Sequence, residues 1–360
     1  MKKILAIAIA AGLAAPAMAD TTLYGQLNAS VDALSGADDI TSVSSNSSRI
    51  GVKGSSDLNG GLKVIYQAEW GMDTGGHDNN ALTKTSKVAI TNRNQVVGIA
   101  GGFGAVLLGR HDTPVKIVGR KADLFWSTQL GQNRNIVNPG NWDLRPQNVI
   151  AYQSPKFGGA QILAAYVTDL GKATIPGVGV VEKDNDNNAF SINGFYNAGP
   201  LMLGAGYEKH NVGNLTSAGV DGIIGTIDDV ANVDAGDRDV WRLMGSYKFG
   251  AAKVVGFYQT EDNLLQADAD VWGLGASYKV SPNGTIKGQY YSRDIDGTSN
   301  DPTLIAVGYD HSLGKKTAIY AQYVQTDEGQ GLGGAGHGEK VSADSSGDAS
   351  GFSVGVRHKF

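Results

Sequence analysis

Polar and apolar residues alternate one by one along many stretches of this chain. The segment 62–70 has an apolar face that begins at Leu62 and ends at Trp70, and an opposite face that carries Lys63, Gln67 and Glu69. In the last ten residues, the side chains on one face are Phe352, Val354, Val356, His358 and Phe360, and those on the other are Ser353, Gly355, Arg357 and Lys359. Alternation with a period of two predicts β-strands with one apolar and one wet face.

Two kinds of connection join these alternating segments. Seven are short and rich in turn residues, at 58–61, 101–104, 154–159, 198–200, 248–250, 281–284 and 312–315. Eight are longer and polar, near 34–47, 72–91, 112–144, 169–188, 209–237, 260–269, 294–301 and 326–349. Short and long connections alternate strictly, which predicts sixteen strands with short turns at one end and long loops at the other. This is the layout of an outer-membrane barrel.

The pattern therefore predicts an all-β fold, a 16-stranded antiparallel transmembrane β-barrel that forms a single domain over residues 20–360. All 14 tyrosines fall in the strand segments. A soluble β-sandwich or propeller would also alternate, but it would need neither the strict succession of turns and loops nor the final Phe360. Barrels of about 16 to 18 strands enclose an aqueous channel, so we expect a water-filled interior.

The first 19 residues have the features of a cleaved signal peptide. Two lysines follow Met1, residues 4–13 are apolar, and Ala17-Met18-Ala19 is a small-x-small cleavage site, so Asp20 is the expected mature N-terminus. The apolar stretch is too short to cross a bilayer as a helix, and no later apolar run reaches about 18 residues. We therefore expect export without a transmembrane helix.

Composition narrows the classes of protein that remain. Without residues 1–19 the chain has 341 residues, with 28 Lys+Arg against 35 Asp+Glu and a formal charge of −7. This balance argues against a nucleic-acid partner, which would need a basic surface. The absence of cysteine excludes disulfides and cysteine metal sites. The six histidines lack zinc-ligand spacing and no Gly-x-Ser-x-Gly elbow occurs, so we predict no enzyme activity, cofactor or metal centre.

Several short motifs resemble those of the general porins of Gram-negative bacteria, and the long connection at 112–144 is closer to the β-proteobacterial type than to the enteric type. The motifs are Tyr24-Gly25, Ser48-Arg49-Ile50-Gly51, Leu108-Gly109-Arg110 and the terminal Phe360. The resemblance implies a passive diffusion channel in the outer membrane, assembled as a homotrimer. Its implied partners are outer-membrane lipid, lipopolysaccharide and the outer-membrane assembly machinery. Phe360, together with Phe352 on the same strand, is the implied assembly signal.

The same resemblance assigns a set of basic residues to the wall of the pore constriction. Arg49, Arg93 and Arg145 are the implied basic side, with Arg110 and Lys53 as further positions. On the lipid side each arginine would cost roughly 2–4 kcal/mol at mid-depth, so a lumen-facing position is strongly preferred. The alternative is that these are ordinary lumen-facing cations without a shared role.

The connection at 112–144 is far longer than a hairpin needs and contains many apolar residues: Val115, Ile117, Val118, Leu124, Phe125 and Trp126. Such a segment should not project into water, so we expect this third external loop to fold into the barrel and narrow it. Asp123, with Glu69, is the predicted acidic side of the constriction. Opposite charges across a narrow pore would discriminate solutes electrostatically.

These features favour a channel for small hydrophilic solutes with a preference for anions, because the acids cluster in external loops and the arginines at the constriction. Three alternatives remain: a channel tuned to one family of solutes, a barrel adhesin or receptor acting through its loops, and a barrel enzyme. No Ser–His–acid group supports the enzyme. The acidic stretch 221–229 offers oxygens to a hard cation, although a solvated loop explains it better.

Overall fold

The alternating stretches form the strands of one closed antiparallel barrel in the computed structural model of the chain. The structure describes residues 21–75, 79–80, 85–86, 90–171, 173–175, 179–181, 187–212, 214–217, 230–234, 236–263, 267–333 and 338–360. The predicted signal peptide (1–19) and the acidic stretch 221–229 lie outside these residues.

Sixteen barrel strands, labelled β1 to β16 in chain order, occur among the described residues. They are Thr22–Ser35, Ile40–Ser45 with Arg49–Asp57, Lys63–Met72, Ile90–Gly101, Gly104–Arg110, Val149–Gln153, Ala160–Val167, Asn188–Ala198, Leu201–Asn211, Asp237–Phe249, Ala252–Asp262, Ala269–Lys279, Gly284–Ile295, Thr303–Ser312, Thr317–Thr326 and Ala349–Lys359. The strand number predicted from the alternation is confirmed.

The second strand is interrupted, and its two segments both pair with β1. Ile40–Ser45 pairs with residues 29–34 of β1, and Arg49–Asp57 pairs with residues 22–26 of the same strand. At the break, Ser47 has a φ of 56°, a left-handed conformation that stops the ladder. The backbone N–H of Asn46 nevertheless donates to the carbonyl of Asn28 over 2.7 Å, so the strand stays attached across the break.

The barrel closes because the last strand pairs with the first. The register runs from Gln26 opposite Lys359 to Ser35 opposite Ser350. Gly25 and Phe360 extend it by exchanging backbone hydrogen bonds of 3.3 and 3.2 Å. Closure leaves no strand edge unpaired, which a spanning sheet requires because lipid cannot satisfy backbone groups.

Short turns lie at one end of the barrel and the longer connections at the other, as the sequence predicts. One expected long connection is different. Only residues 36–39 lie between β1 and β2, because most of the predicted loop 34–47 is strand. The Ser and Thr residues of this stretch lack the bulky alternation that identifies the other strands.

The two faces of the wall differ sharply in chemistry. Side chains of β1 that point outward are exposed and apolar, as for Leu23 at 59% and Val31 at 54%, whereas Asn28 and Asp32 on the opposite face are buried. The described tyrosines include all 14 of the chain, and each lies in a barrel strand. The outward face is therefore suited to lipid and the inward face to polar contents.

The connection between β5 and β6 contains the two α-helices of the described residues, α1 (Pro114–Ala122) and α2 (Arg134–Val137). Proline at the first helical position of α1 fits because that backbone nitrogen needs no intrahelical partner. Val115, Val118 and Ala122 recur at helical spacing and are buried together. Neither helix is long and apolar enough to cross a membrane.

Three small sheets lie outside the barrel in the described residues. Four short strands form one of them: Ala173–Ile175, Gly179–Val181, Asn214–Ser217 and Val230–Asp234. The others are the pairs Asn79–Asn80 with Thr85–Ser86 and Leu332–Gly333 with Lys340–Val341. All three small sheets are formed by residues of the long connections.

Candidate functional site

The segment between β5 and β6, residues 111–148, is hydrogen-bonded to inward-facing side chains of the wall. Its first part is held by β8, where Ser191 accepts a hydrogen bond from the Val115 backbone N–H over 3.2 Å and Asn193 donates to the Pro114 carbonyl over 2.7 Å. A Cβ on Gly206 of β9 would lie 3.0 Å from Val118, so the absence of a side chain there lets α1 approach the wall.

Arg242 on β10 anchors the second part of this segment, although the sequence pattern did not single it out. Its side chain is fully buried and donates to Asp143 Oδ1 over 2.5 Å and to the Val137 carbonyl over 3.2 Å. Gln259 on β11 accepts a third hydrogen bond from Arg242 over 2.6 Å. A buried arginine with carboxylate and carbonyl partners holds a loop in one position.

Asp123, the residue predicted on the acidic side of the constriction, also holds the segment in place. Its carboxylate accepts hydrogen bonds from the backbone N–H groups of Phe125 (2.8 Å) and Asn133 (3.2 Å) and from the Gln289 amide (3.0 Å). The residue is only 8% exposed, and burial raises its pKa to about 6. These contacts hold the carboxylate between the segment and Gln289 of β13, largely out of water.

Glu69, the other residue predicted on the acidic side of the constriction, lies among basic residues. Arg93 Nε lies 2.5 Å from Glu69 Oε1, and Arg49 Nε lies 3.6 Å from Oε2. Tyr24 donates to the same carboxylate over 3.0 Å. Glu69 is thus the shared counterion of two arginines on neighbouring strands, and these three charges belong to one wall.

Asp112, just after β5, is the second buried counterion. Lys116 Nζ and Arg145 lie 3.0 and 2.9 Å from its Oδ1, and Arg120 lies 3.2 Å from its Oδ2. Burial opposes ionisation of this carboxyl, but Lys116, Arg145 and Arg120 hold its pKa well below the usual range. Burial in turn lowers the pKa of Lys116 to about 8 and that of Arg145 to about 10.

The two groups form one basic cluster, which we define as Arg49, Arg93, Lys116, Arg120 and Arg145 with the carboxylates of Glu69 and Asp112. Arg49 lies within electrostatic reach of both Arg93 and Arg120, and Arg145 within reach of Arg93 and Glu69. Asn94, the residue after Arg93 on β4, holds the Asp112 group against this strand, because its Oδ1 accepts hydrogen bonds from Arg145 Nε and from the Asp112 backbone N–H. The structure therefore brings together the three arginines predicted at the constriction.

Two members of the basic cluster were missed by the sequence reasoning. Lys116 and Arg120 follow Asp112 at intervals of four residues, which places all three on one side of a helical stretch. This spacing was visible in the sequence. It was overlooked because the apolar residues of the same segment dominated its interpretation.

Lys53 and Arg110, the two further predicted positions, take part in none of the ion pairs described for the basic cluster. Lys53 is exposed on the inward face of β2, with its Nζ 5.1 Å from the centre of the Tyr24 ring. Arg110, at the end of β5, pairs with Gln95 in the register and lies within electrostatic reach of Arg145.

Comparison with known proteins agrees with this architecture. A porin of Delftia acidovorans, described as outer membrane porin protein 32, is 30% identical over 390 residues that cover 100% of this chain and 99% of that protein. The major outer membrane protein P.IB of Neisseria meningitidis serogroup B is 26% identical over 384 residues, covering all of both chains. The solved anion-selective porin from Comamonas acidovorans superposes with a TM-score of 0.73 at 28% identity, covering 95% of this chain and 100% of the other.

A sequence profile of the Gram-negative porin family matches residues 5–331. That match covers most of the chain and includes the strands that carry Arg49, Glu69 and Arg93. The chain belongs to the Gram-negative porin family and is an outer-membrane channel protein.

Proposed function

We propose that this porin prefers anions and that the basic cluster produces the preference. The cluster contains five cations and two carboxylates, an excess of three positive charges. Both carboxylates are buried beneath the cations, with Glu69 at 6% and Asp112 at 2% exposure. An ion near this wall therefore meets arginine side chains, of which Arg120 is the most exposed at 31%.

A second group of cations extends the positive character toward the short-turn end. Lys248 and Lys253 pair with each other across β10 and β11, and Lys121 at the end of α1 is within electrostatic reach of Lys253. Like charges at this distance repel one another unless an anion lies between them. These three lysines therefore offer permeating anions a second binding position, between the basic cluster and the short-turn end.

The inserted segment supports the proposal by its position. Because residues 111–148 are hydrogen-bonded to the inward faces of β8, β10 and β13, they take up space inside the barrel beside the basic cluster. A narrower passage brings permeating ions within a few ångströms of Arg120 and Arg145. The net charge of the whole chain matters less, because at about 0.15 M salt charges beyond about 8 Å are screened.

Reversal potentials in a potassium chloride gradient test the preference. We expect an anion-selective potential for the wild type, and loss of selectivity or cation selectivity for the Arg49→Ala, Arg93→Ala, Arg145→Ala triple variant. Lys156→Ala, which removes an exposed cation from a short turn, is the matched control and should behave as the wild type. A cation-selective wild type, or an unchanged triple variant, would overturn the proposal.

We also propose that the chain forms a homotrimer through the outward faces of β1 and β2. Away from the short-turn end, where the Phe360 ring covers Gly25, the described part of these faces carries small and aliphatic side chains such as Ala29, Val31 and Val43 and no aromatic ring. The outward face of β10 to β12, in contrast, carries Trp241 and Trp272. Aromatic residues gather where a barrel meets the lipid interface, so a face without them suits contact with another subunit.

Gel mobility of unheated protein tests this contact. Ala29→Trp places a large ring on the proposed interface and should abolish the trimer band while the monomer keeps its heat-modifiable mobility. Ala276→Trp makes the same change on the outward face of β12 and should leave the trimer intact. A wild type that migrates as a folded monomer, or a trimeric Ala29→Trp variant, would contradict the proposal.

The remaining partners follow from the position in the outer membrane. We propose that the exposed apolar stripes contact lipid and the lipid part of lipopolysaccharide. We propose too that the last strand, with Phe352 and Phe360 on its outward face, is the part recognised by the assembly machinery. A cleaved signal peptide at residues 1–19 belongs to the same proposal and is tested by N-terminal sequencing of the mature protein.

A further inference from the structure

A buried carboxylate without a partner lies at the seam where the barrel closes. Asp32, on the inward face of β1, is 1% exposed. Neither of its oxygens has a hydrogen-bond partner among the residues that the structure describes. An ionised carboxylate removed from water is very unfavourable unless a donor or a cation compensates it, so this position calls for a partner that the protein chain does not supply.

Asp32 is flanked by hydroxyl groups on both neighbouring strands. The register places Ser42 of β2 on one side of it and Ser353 of β16 on the other. Residues opposite each other in such a ladder have Cα atoms about 4.5–5.5 Å apart. The hydroxyls of Ser42 and Ser353 are themselves buried and unpartnered in the described structure, so neither donates to the carboxylate.

The unpartnered groups form a patch rich in oxygen, which we name the seam patch. It contains six buried oxygen atoms without a hydrogen-bond partner in the described residues, two from Asp32 and one each from Ser42, Ser44, Gln322 and Ser353, beside the amide nitrogens of Gln322 and Gln129, which are likewise unpartnered there. Gln322 of β15 is the register partner of Ser353.

Two loops cover the seam patch. The position that a Cβ of Gly338 would take is 2.5 Å from Ser44 Oγ and 3.1 Å from the Cδ atom of Gln129. Gly338 belongs to the last long connection and Gln129 to the inserted segment, and Gln129 is 2% exposed. The patch is thus enclosed between the barrel wall and these two segments rather than open to the channel.

No described cation compensates Asp32. It takes part in no ion pair with a described residue, and the inward cation of β16, Arg357, pairs with Asn28 in the register. Asn28 is four residues from Asp32, a separation of about 13 Å along the strand. A bound water would supply a donor to the hydroxyls and the carboxylate but would leave the negative charge uncompensated.

We propose that the seam patch binds one monovalent alkali cation. Carboxylate, hydroxyl and amide oxygens are the ligands that hard cations prefer. The patch has a single carboxylate, so a monovalent ion makes the buried site neutral, whereas a divalent ion would leave one positive charge buried and unpaired. The ion ties β1, β2 and β16 together at the closure of the barrel and is independent of the ions that the channel conducts.

Anomalous scattering is the direct test. Crystals of the wild-type protein grown in rubidium chloride should show one anomalous peak beside the Asp32 carboxylate, flanked by Ser42 and Ser353. Water density without anomalous signal at that position would overturn the proposal, as would rubidium bound only elsewhere. A site that takes calcium and not rubidium would overturn it too, because it would contradict the charge argument.

Stability in solution is the second test. At a sodium concentration ten times the dissociation constant, a cation that binds only the folded state lowers the unfolding equilibrium constant about tenfold. We expect this gain in sodium chloride relative to choline chloride of equal ionic strength, and its loss in Asp32→Asn. The control Asp57→Asn removes an exposed carboxylate and should keep the gain. An equal response of Asp32→Asn and the wild type would refute the site.

Discussion

Glu69 lies between Arg93, whose Nε is 2.5 Å from one carboxylate oxygen, and Arg49, whose Nε is 3.6 Å from the other. The carboxylate allows two arginines on strands either side of β3 to point into the same part of the barrel. Without it their mutual repulsion would be uncompensated. The acidic residue is therefore part of the basic wall and sets the net charge of that wall.

The first prediction follows from this arrangement. Glu69→Gln keeps the side-chain shape but removes one negative charge, so the anion-to-cation permeability ratio should rise. A unit charge at about 4 Å is worth about 1 kcal/mol in water, which corresponds to about a two- to fivefold change once salt screening is included. Reversal potentials measure the ratio. Asp57→Asn, which neutralises an exposed acid, should leave it unchanged, and a falling ratio in Glu69→Gln would contradict the assignment.

The second prediction concerns Asp112, which contacts Lys116, Arg120 and Arg145. Asp112→Asn leaves these cations without their buried counterion and should lower the free energy of unfolding by about 3–5 kcal/mol. Urea unfolding followed by tryptophan fluorescence measures the loss. The exposed pair of Asp57 with Lys63 is the comparison, and Asp57→Asn should cost at most about 1 kcal/mol.

The same residue gives a pH dependence of definite sign. The folded-state pKa of Asp112 is lowered, so its stabilising contribution is complete above the usual aspartate value of about 4 and is lost as the pH falls further. The difference in stability between the wild type and Asp112→Asn should therefore be constant near neutrality and shrink below about pH 4. A difference that grew on acidification would contradict the contacts described.

The third prediction uses Asp123, whose shift has the opposite sign. Burial raises its folded-state pKa to about 6, so the contribution is most favourable below its unfolded value of about 4 and is lost as the pH rises through about 6. The difference between these values corresponds to about 3 kcal/mol. Thermal unfolding from pH 4 to 7 should show this loss in the wild type but not in Asp123→Asn. Parallel pH profiles for the two proteins would refute it.

The barrel could be predicted from the sequence because every strand carries its own periodic signal. The alternation along 62–70 and 351–360 and the turn residues between the strands are local features. They can be recognised without knowing which strands pair with each other. The stretch 40–45 was not predicted as a strand because three of its six residues are serines, which do not contrast with the polar loop before it. The number of strands, and which side chains of each strand point outward, could therefore be predicted from neighbouring residues alone.

The site was predicted in part, since the charges of residues are visible in sequence but their partners are not. Arg49 and Arg93 could be placed because an arginine in a strand avoids lipid. Whether Asp123 faces the channel or the wall depends on Gln289, which is 166 residues away. Arg242 similarly meets Asp143 only through the path of the inserted segment. Contacts between residues so far apart in the chain produce no periodic pattern in the sequence.

The fourth prediction tests how the inserted segment is held. Arg242→Met should leave Asp143 buried without its closest cation and cost about 3–5 kcal/mol of stability. The released segment should also add current fluctuations to single-channel recordings. Arg134→Ala removes the outer partner of Asp143, which lies 3.7 Å away and is 34% exposed, so it should change the recordings little. Quiet channels in Arg242→Met would show that other contacts suffice.

The last prediction concerns closure of the barrel at Gly25. A Cβ on this residue would collide with the Cζ atom of Phe360 and would lie 2.5 Å from the Arg49 carbonyl oxygen, so no side chain fits while the Phe360 ring covers the glycine. Gly25→Ala should therefore destabilise the barrel by about 1–3 kcal/mol through overpacking. Gly194→Ala is the control, because nothing lies within 4 Å of the added methyl. The fraction of protein that refolds in detergent, read from unheated gel mobility, should fall for Gly25→Ala and not for the control.

A double variant separates the two contacts of the added methyl group. In a Phe360→Ala background the ring clash is gone while the carbonyl contact remains, so Gly25→Ala should then cost less stability than in the wild type. Equal costs in the two backgrounds would show that the Phe360 ring does not restrict Gly25.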